Sequence, residues 1–432
     1  MVIWHKVAGF LVVGYLCATR SFAYIGVPPL FIGEIVLAGF VLLKPRVVFG
    51  TWAASLLRAS PLSALGLALL VFMLYGVWQV GRGVLGGSSL FYTLKFFVFN
   101  YYAIYMLFGI WIGMHSPEFL PKLIRVVAWV SGIYSFIWIL VLKDMVAYMP
   151  GSQVTLFGVP SAGAVAILGL LCFERDLRAV WPVLALNIMV TLTLQARATW
   201  LGVAVGMLVW GLLTGRLGRV VVMGVAGLAV IGMIELSGVQ LGVGGRAISM
   251  GEVLGRVIAP IDLELAKELT PNATKHASTA EWRELWWEQI WLSVHSAPML
   301  EAFGHGYGFD LFGLAPESVR GGQEEWDVRT PHSVFYYALG YTGWVGVVLF
   351  AVFQFTILRV LWQAFRLAGQ PAGVVFWAMG MAMACFEAGF ETPYKAIPFY
   401  LLVGMGMAPG LQVKGGEHAR PARAQLLPAA GR

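Results

Sequence analysis

Apolar runs follow one another along most of this chain, and they are long enough to cross a hydrocarbon layer of roughly 30 Å, which takes about 20 residues of helix. They centre on Val12, Ile35, Leu70, Tyr105, Tyr134, Ile167, Leu186, Met207, Leu228, Val348, Met381 and Leu401. That pattern leaves few folds open. In lipid every backbone N–H and C=O needs a partner within the protein, so a spanning segment is a helix or belongs to a closed barrel. Long aliphatic runs with weak alternation argue against barrel strands. With 59% hydrophobic residues, 12% charged residues and a mean hydropathy of +0.78, the chain reads as an all-α polytopic membrane protein of about 12 transmembrane helices. The first run, about residues 7 to 17, carries no convincing cleavage site and reads as a retained span rather than a signal peptide.

An even number of spans puts both termini on one side, and basic residues choose the side. With the N-terminus in the cytoplasm, sixteen Lys and Arg, Lys6, Lys44 and Arg216 among them, fall in the tail and internal connections. The short external connections hold six: Arg20, Arg82, Lys95, Lys143, Arg197 and Lys395. Short loops rich in Lys and Arg stay inside, so both termini are expected in the cytoplasm of a multi-pass membrane protein. The net charge of +7 is dispersed among loops and gives no nucleic-acid signal.

This orientation puts the one large extramembrane piece, about 237–331, in the periplasm. It carries thirteen of the twenty-two acidic residues and three of the seven histidines. The chain divides accordingly: 1–236 as a bundle of about nine spans, 237–331 as a periplasmic loop, 332–411 as about three further spans, and 412–432 as a disordered cytoplasmic tail. Within the loop, Trp282, Leu285, Trp286, Gln289, Ile290 and Leu292 recur with helical spacing between charges. This predicts an amphipathic helix starting near Thr279, with Ser278 as its cap and Trp282, Trp286, Trp287 and Trp291 anchoring it at the membrane interface. The glycines of Gly304-His305-Gly306-Tyr307-Gly308 predict a tight turn.

Three residues stand where chemistry on a lipid-linked molecule is possible. Arg197 lies in a connection short enough to hold it at the outer membrane boundary. A guanidinium there needs an anionic partner, such as a diphosphate, or snorkels to water. Arg283 sits in the loop helix, where pairing with Glu281 or Glu284 is the plain alternative. His332 follows Pro331 at the lip of a span and is able to exchange a proton near neutral pH, although a lone histidine at a helix end is more often a hydrogen-bonding group. Cys17, Cys172 and Cys385 form no CxxC and read as packing residues. The histidines have no metal-site spacing, so no metal and no cofactor are expected. A carrier or flippase explains the hydrophobicity equally well. It predicts ionisable residues within spans or internal symmetry, whereas few such residues occur here and the acidic residues collect in the loop.

Taken in order, these segments resemble the O-antigen ligase and O-antigen polymerase superfamily of bacterial membrane glycosyltransferases. Ala196-Arg197 corresponds to a small residue and arginine opening a mid-chain span. Arg283 to Trp287, then Pro298, then Gly304 to Gly308 correspond to an Arg-x-x-x-Trp helix, a proline and a Gly-x-Gly turn. His332-Ser333 with Gly340, Gly343 and Gly346 correspond to a His-Asn pair leading into a glycine-spaced span. Ser333 stands where the family has asparagine, and Ala196 where it has serine. The likeness covers most of 185–350, with a weaker echo through Glu387, Glu391, Pro393 and Ile397-Pro398-Phe399. It implies a GT-C-like fold and a metal-independent inverting glycosyltransferase. The donor would be a glycan on undecaprenyl diphosphate. The acceptor would be a hydroxyl of the lipid A core for a ligase forming lipopolysaccharide, or another lipid-linked repeat for a polymerase. Arg197 and Arg283 are then expected to grip the diphosphate, and His332 to act as base or acceptor-orienting group.

Overall fold

All twelve sequence-derived centres lie on helices in the computed structural model, which describes residues 2–27, 30–57, 61–145, 147–149, 154–194, 196–236, 249–259, 262–317 and 330–415. Among the described residues, six helices are long and apolar enough to cross a membrane: Val2–Ala23, Leu62–Leu85, Leu90–His115, Phe119–Leu140, Arg197–Thr214 and Val334–Ala368. Five of the expected spans meet shorter apolar helices instead: Ile32–Leu43, Gly163–Phe173, Trp181–Leu194, Leu217–Met233 and Ala372–Ala384. At 1.5 Å per residue, the eleven residues of Gly163–Phe173 rise only about 16 Å, roughly half a hydrocarbon layer. The twelfth centre, Leu401, lies on Pro393–Gly415. The expected tail boundary at 412 therefore falls inside a helix, and 416–432 lie outside the described residues. Among the described residues the all-α expectation holds apart from one two-residue antiparallel pairing, Gly26–Val27 with Leu30–Phe31, and an isolated bridge between Tyr148 and Thr155.

Small residues set the closest packing. A Cβ on Gly109 of Tyr105–His115 would stand 2.3 Å from the Leu401 carbonyl oxygen, and one on Gly404 would stand 2.3 Å from that of Met106. Without side chains at the crossing the two backbones touch, as small-xxx-small contacts permit in lipid. Gly373 and Gly406 repeat the arrangement against Ala372–Ala384. Pro393–Gly415 is thereby gripped on two sides and its apolar residues from Ala396 to Ala408 are almost all buried.

Among the described residues, the segment between Leu217–Leu236 and Val334–Ala368 contains four α-helices: Met250–Ile258, Leu263–Leu269, Ala273–Val294 and Pro298–Phe303. Residues 237–248 and 318–329 lie outside the described residues. Ser249 caps the first of these helices by accepting the Glu252 N–H at 3.0 Å. The buried Glu252 carboxylate in turn accepts from Thr270 and from Asn272, the latter at 3.2 Å. That knot closes the turn before Ala273. The long helix consequently starts at Ala273, six residues ahead of the expected start, and Ser278 lies inside it.

The glycine-rich turn docks this segment onto the bundle. Gly304, Gly306 and Gly308 have φ of 66°, 88° and 90°, values that side chains rarely adopt. The His305 and Gly306 N–H groups donate to the Gly340 and Tyr341 carbonyls, both at 2.9 Å. Those carbonyls lie just before Gly343, where Val334–Ala368 breaks with φ 63° and ψ −170°. From Pro61–Leu85, Arg82 closes the far side, donating to the Phe303 carbonyl at 2.6 Å and the Gly304 carbonyl at 3.0 Å.

Candidate active site

Arg283 and His332 both contact one indole, that of Trp282. The Arg283 guanidinium lies 5.4 Å from the Trp282 ring centroid. The His332 ring stands edge-on to Trp282, with centroids 5.7 Å apart and planes at 85°. Trp282 stacks on Trp286, which is fully buried and donates its indole N–H to the Leu311 carbonyl at 2.8 Å. Trp287 stacks on Tyr336 at 4.9 Å and donates to the Pro331 carbonyl at 2.6 Å. The tryptophans thus fasten the helix to the start of Val334–Ala368. Of the four expected interfacial anchors, Trp291 is exposed while Trp286 belongs to the core, because its indole N–H finds a buried carbonyl.

Arg283 does not use the neighbouring glutamates that the sequence offered. Its Nη1 donates to the Phe386 carbonyl at 3.1 Å, across to the turn 385–392 between Ala372–Ala384 and Pro393–Gly415. Its Nε is buried and meets no acceptor among the described residues. Burial lowers the pKa of this guanidinium, and the nearby Glu387 carboxylate opposes that. An arginine so placed keeps its charge and has N–H donors to spare for an anion. Glu387 is shared with Lys395, whose Nζ lies 2.8 Å from Oε1.

Glu387 and Lys395 also line a cleft of about 600 Å³, counting its open mouth. The rest of its wall is mostly apolar, including Leu16, Val165, Met379, Met383, Phe390 and Phe399. Arg197 approaches from the next helix. It opens Arg197–Thr214, is half-buried, and follows Ala196, whose side chain supplies no cap. One turn on, Gly202 packs against Met383 of the cleft wall. The structure therefore joins Arg283 and His332 through Trp282, and brings Arg197 to the same region through the cleft wall. In the sequence Glu387 stands out only in the weaker family echo beyond residue 350. Its partners Arg283 and Lys395 come from 104 residues upstream and eight downstream, a relation no local pattern encodes.

His332 has φ +54°, an uncommon backbone for a side-chain-bearing residue, and Ser333 beside it is buried. His305 has a different role. It lies 2.9 Å from the Ser293 hydroxyl and stacks on Phe309, and burial and then Arg82 push its pKa down to about 4. It is a neutral packing residue of the docking turn. Among the described residues, no three His, Cys, Asp or Glu side chains are grouped to hold a metal ion.

Residues 182–351 match the family model described as O-Antigen ligase. Over this segment, less than half of its length, the chain is similar to the O-antigen ligase family. No curated protein matches the chain. The O-antigen ligase segment runs from the helix before Arg197 to the middle of Val334–Ala368, and so contains Arg197, Arg283 and His332. Glu387 and Lys395 lie beyond it. Members of the superfamily are glycosyltransferase-like enzymes.

Proposed function

We propose that this protein is an O-antigen ligase. It transfers a glycan from undecaprenyl diphosphate to a hydroxyl of the lipid A core at the periplasmic face of the inner membrane, forming lipopolysaccharide. The observation that carries the reading is the pairing of a partly buried arginine and a histidine across Trp282, beside an apolar cleft with Glu387 and Lys395 in its lining. The cleft suits the polyprenyl chain, and Arg283, which interacts with Glu387 of its lining, suits the diphosphate. Arg283 and Arg197 hold the phosphate oxygens and stabilise the charge that grows as the sugar–phosphate bond breaks. The acceptor hydroxyl oxygen attacks the anomeric carbon, undecaprenyl diphosphate leaves, and the hydroxyl proton passes to neutral His332. A single displacement inverts the anomeric centre. Arginines do here what a divalent ion does in other enzymes, so no metal is required.

The reading also takes twelve spans, both termini in the cytoplasm, and the segment 237–331 as the periplasmic loop, with a GT-C-like arrangement around it. The test is reconstitution of the purified protein with a lipid-diphosphate glycan and two acceptors, a lipid A core and a second lipid-linked repeat, with EDTA in a parallel reaction. Product on the lipid A core alone, undiminished by EDTA, is the expected result. Product only on the second lipid-linked repeat makes the protein a polymerase. Loss in EDTA restored by magnesium removes the metal-independent mechanism.

A further inference from the structure

His332 sits in a conformation that its own sequence does not favour. Among the described residues only Thr19 and His332 combine a side chain with positive φ. Such backbone persists when the surroundings hold it on both sides. On one side the hold is plain: Trp287 donates to the Pro331 carbonyl, and the buried Ser333 leads into the helix. The other side is Thr330, whose hydroxyl oxygen is buried and completes no hydrogen bond.

Thr330 faces Glu391. This carboxyl is only 7% exposed, on the same turn that supplies the Phe386 carbonyl to Arg283. Its Oε2 accepts the Gly389 N–H at 2.9 Å. Its Oε1 is buried without a hydrogen bond, the same condition as the Thr330 hydroxyl that acts on it. Leaving either group unsatisfied in the interior is costly, and each is the other's available partner. A small closing movement of the turn completes the bond. The turn 385–392 then touches both halves of the site, Arg283 through Phe386 and the approach to His332 through Thr330.

We propose that Glu391 is a positioning residue: through the Thr330 hydroxyl, its buried carboxyl fixes the Thr330–His332 backbone so that the imidazole meets the acceptor. The functional consequence rests on the glycosyl-transfer reading, while the structural bond does not. The groups around the carboxyl fit this role. Glu387 is the nearest like charge and is neutralised by Lys395 and Arg283. Tyr337 and Tyr341 face it from Val334–Ala368. Burial holds the Glu391 pKa up to about 7, so the group is present as acid and as carboxylate near neutrality, and either form bonds a hydroxyl.

The experiment compares Thr330→Val, Thr330→Ser, Glu391→Gln, Glu391→Ala and the Thr330→Val/Glu391→Ala double variant as purified full-length proteins, with wild type and His332→Ala alongside. Hydrogen–deuterium exchange is read at the amides of His332 to Phe335, and kcat and donor KM are read in the transfer assay. Thr330→Val and Glu391→Ala are expected to speed exchange there by about 10-fold. They should also lower kcat by about 10- to 100-fold at unchanged donor KM, the effect of a misplaced group rather than a lost binding contact. Thr330→Ser and Glu391→Gln keep the bond and should stay close to wild type. The double variant should be no worse than Glu391→Ala, because both changes remove one interaction. Wild-type exchange in Thr330→Val, or additive losses in the double variant, overturns the proposal, and Thr330→Val decides alone if Glu391→Ala does not fold. A wild-type protein inactive on every acceptor overturns the transfer reading instead and leaves the exchange result to stand.

Discussion

Arg283 donates from Nη1 to the main-chain carbonyl of Phe386, 103 residues further along the chain, at 3.1 Å. This contact sets the arginine's fork toward the turn 385–392 and leaves a buried Nε without an acceptor among the described residues. A lysine has neither the reach to that carbonyl nor a second donor plane.

The first prediction follows from that geometry. Arg283→Lys is expected to lose most donor turnover and to behave closer to Arg283→Ala than to wild type. Arg197→Lys should fall less steeply, because its helix-start position leaves it half-exposed. Donor binding and turnover for the four single variants provide the measurement. Unchanged affinity and turnover in both alanine variants would make the arginines structural.

His332→Ala should insert and fold, since Trp287 still pins Pro331 and the buried Trp286 still holds Trp282 in the stack. Its positive φ makes Gly the least strained replacement, so His332→Gly is a second probe. Both are expected to lower transfer by roughly 10²–10⁴-fold, the range that general acid–base help supplies. Near-normal turnover of either variant would remove the assignment.

Much of this site was open to sequence reading, and the reason is chemical. Arg197 and His332 each sit at a break between apolar and polar stretches, while Arg283 sits among the tryptophans of the loop helix, and both patterns are visible in the linear sequence. The Gly304 to Gly308 turn was legible because three positive φ values require glycine. Trp282 as the shared partner of Arg283 and His332 was not legible, nor was the turn that carries Phe386, Glu387 and Glu391. These depend on helices meeting across more than a hundred residues. The start of Ala273–Val294 was misjudged because Glu252, eighteen residues before Thr270, closes the turn. Helix lengths were overestimated because an apolar run continues through the residue where its helix stops, as beyond Ala384.

A third prediction concerns acid and heat. Burial, the first cause, raises the Glu391 pKa from 4.5 to about 7 in the folded protein. A raised carboxyl pKa means that the native state binds the proton more tightly than the unfolded chain. Its contribution to stability is therefore full below about pH 4.5 and declines as pH rises through about 7. At about 1.4 kcal/mol per unit, the decline amounts to about 3 kcal/mol. Melting of the solubilised protein across this window should show the fall in wild type and a flatter profile in Glu391→Gln. Identical profiles would mean that the carboxyl is ionised or solvated in the native state.

The final prediction concerns sidedness, on which the transfer reading depends. On the proposed reading, sixteen basic residues at the N-terminus, in the tail and in the internal connections, against six in the short external ones, put the termini in the cytoplasm and Arg197, Arg283 and His332 on the periplasmic side. Arg197 starts a helix, His332 precedes one, and the turn 385–392 joins two, so all three sites lie at helix ends that meet around Trp282 and the cleft. A single cysteine at Glu264, exposed on Leu263–Leu269, reports one face, and one at Arg178, exposed between Gly163–Phe173 and Trp181–Leu194, reports the other. The three native cysteines are replaced first, Cys385 above all because it is exposed. In cells with a permeabilised outer membrane, an impermeant thiol reagent should label Glu264→Cys and spare Arg178→Cys. The reverse pattern would put both arginines and the histidine in the cytoplasm, away from any acceptor in the periplasm, and the ligase reading would fall with it.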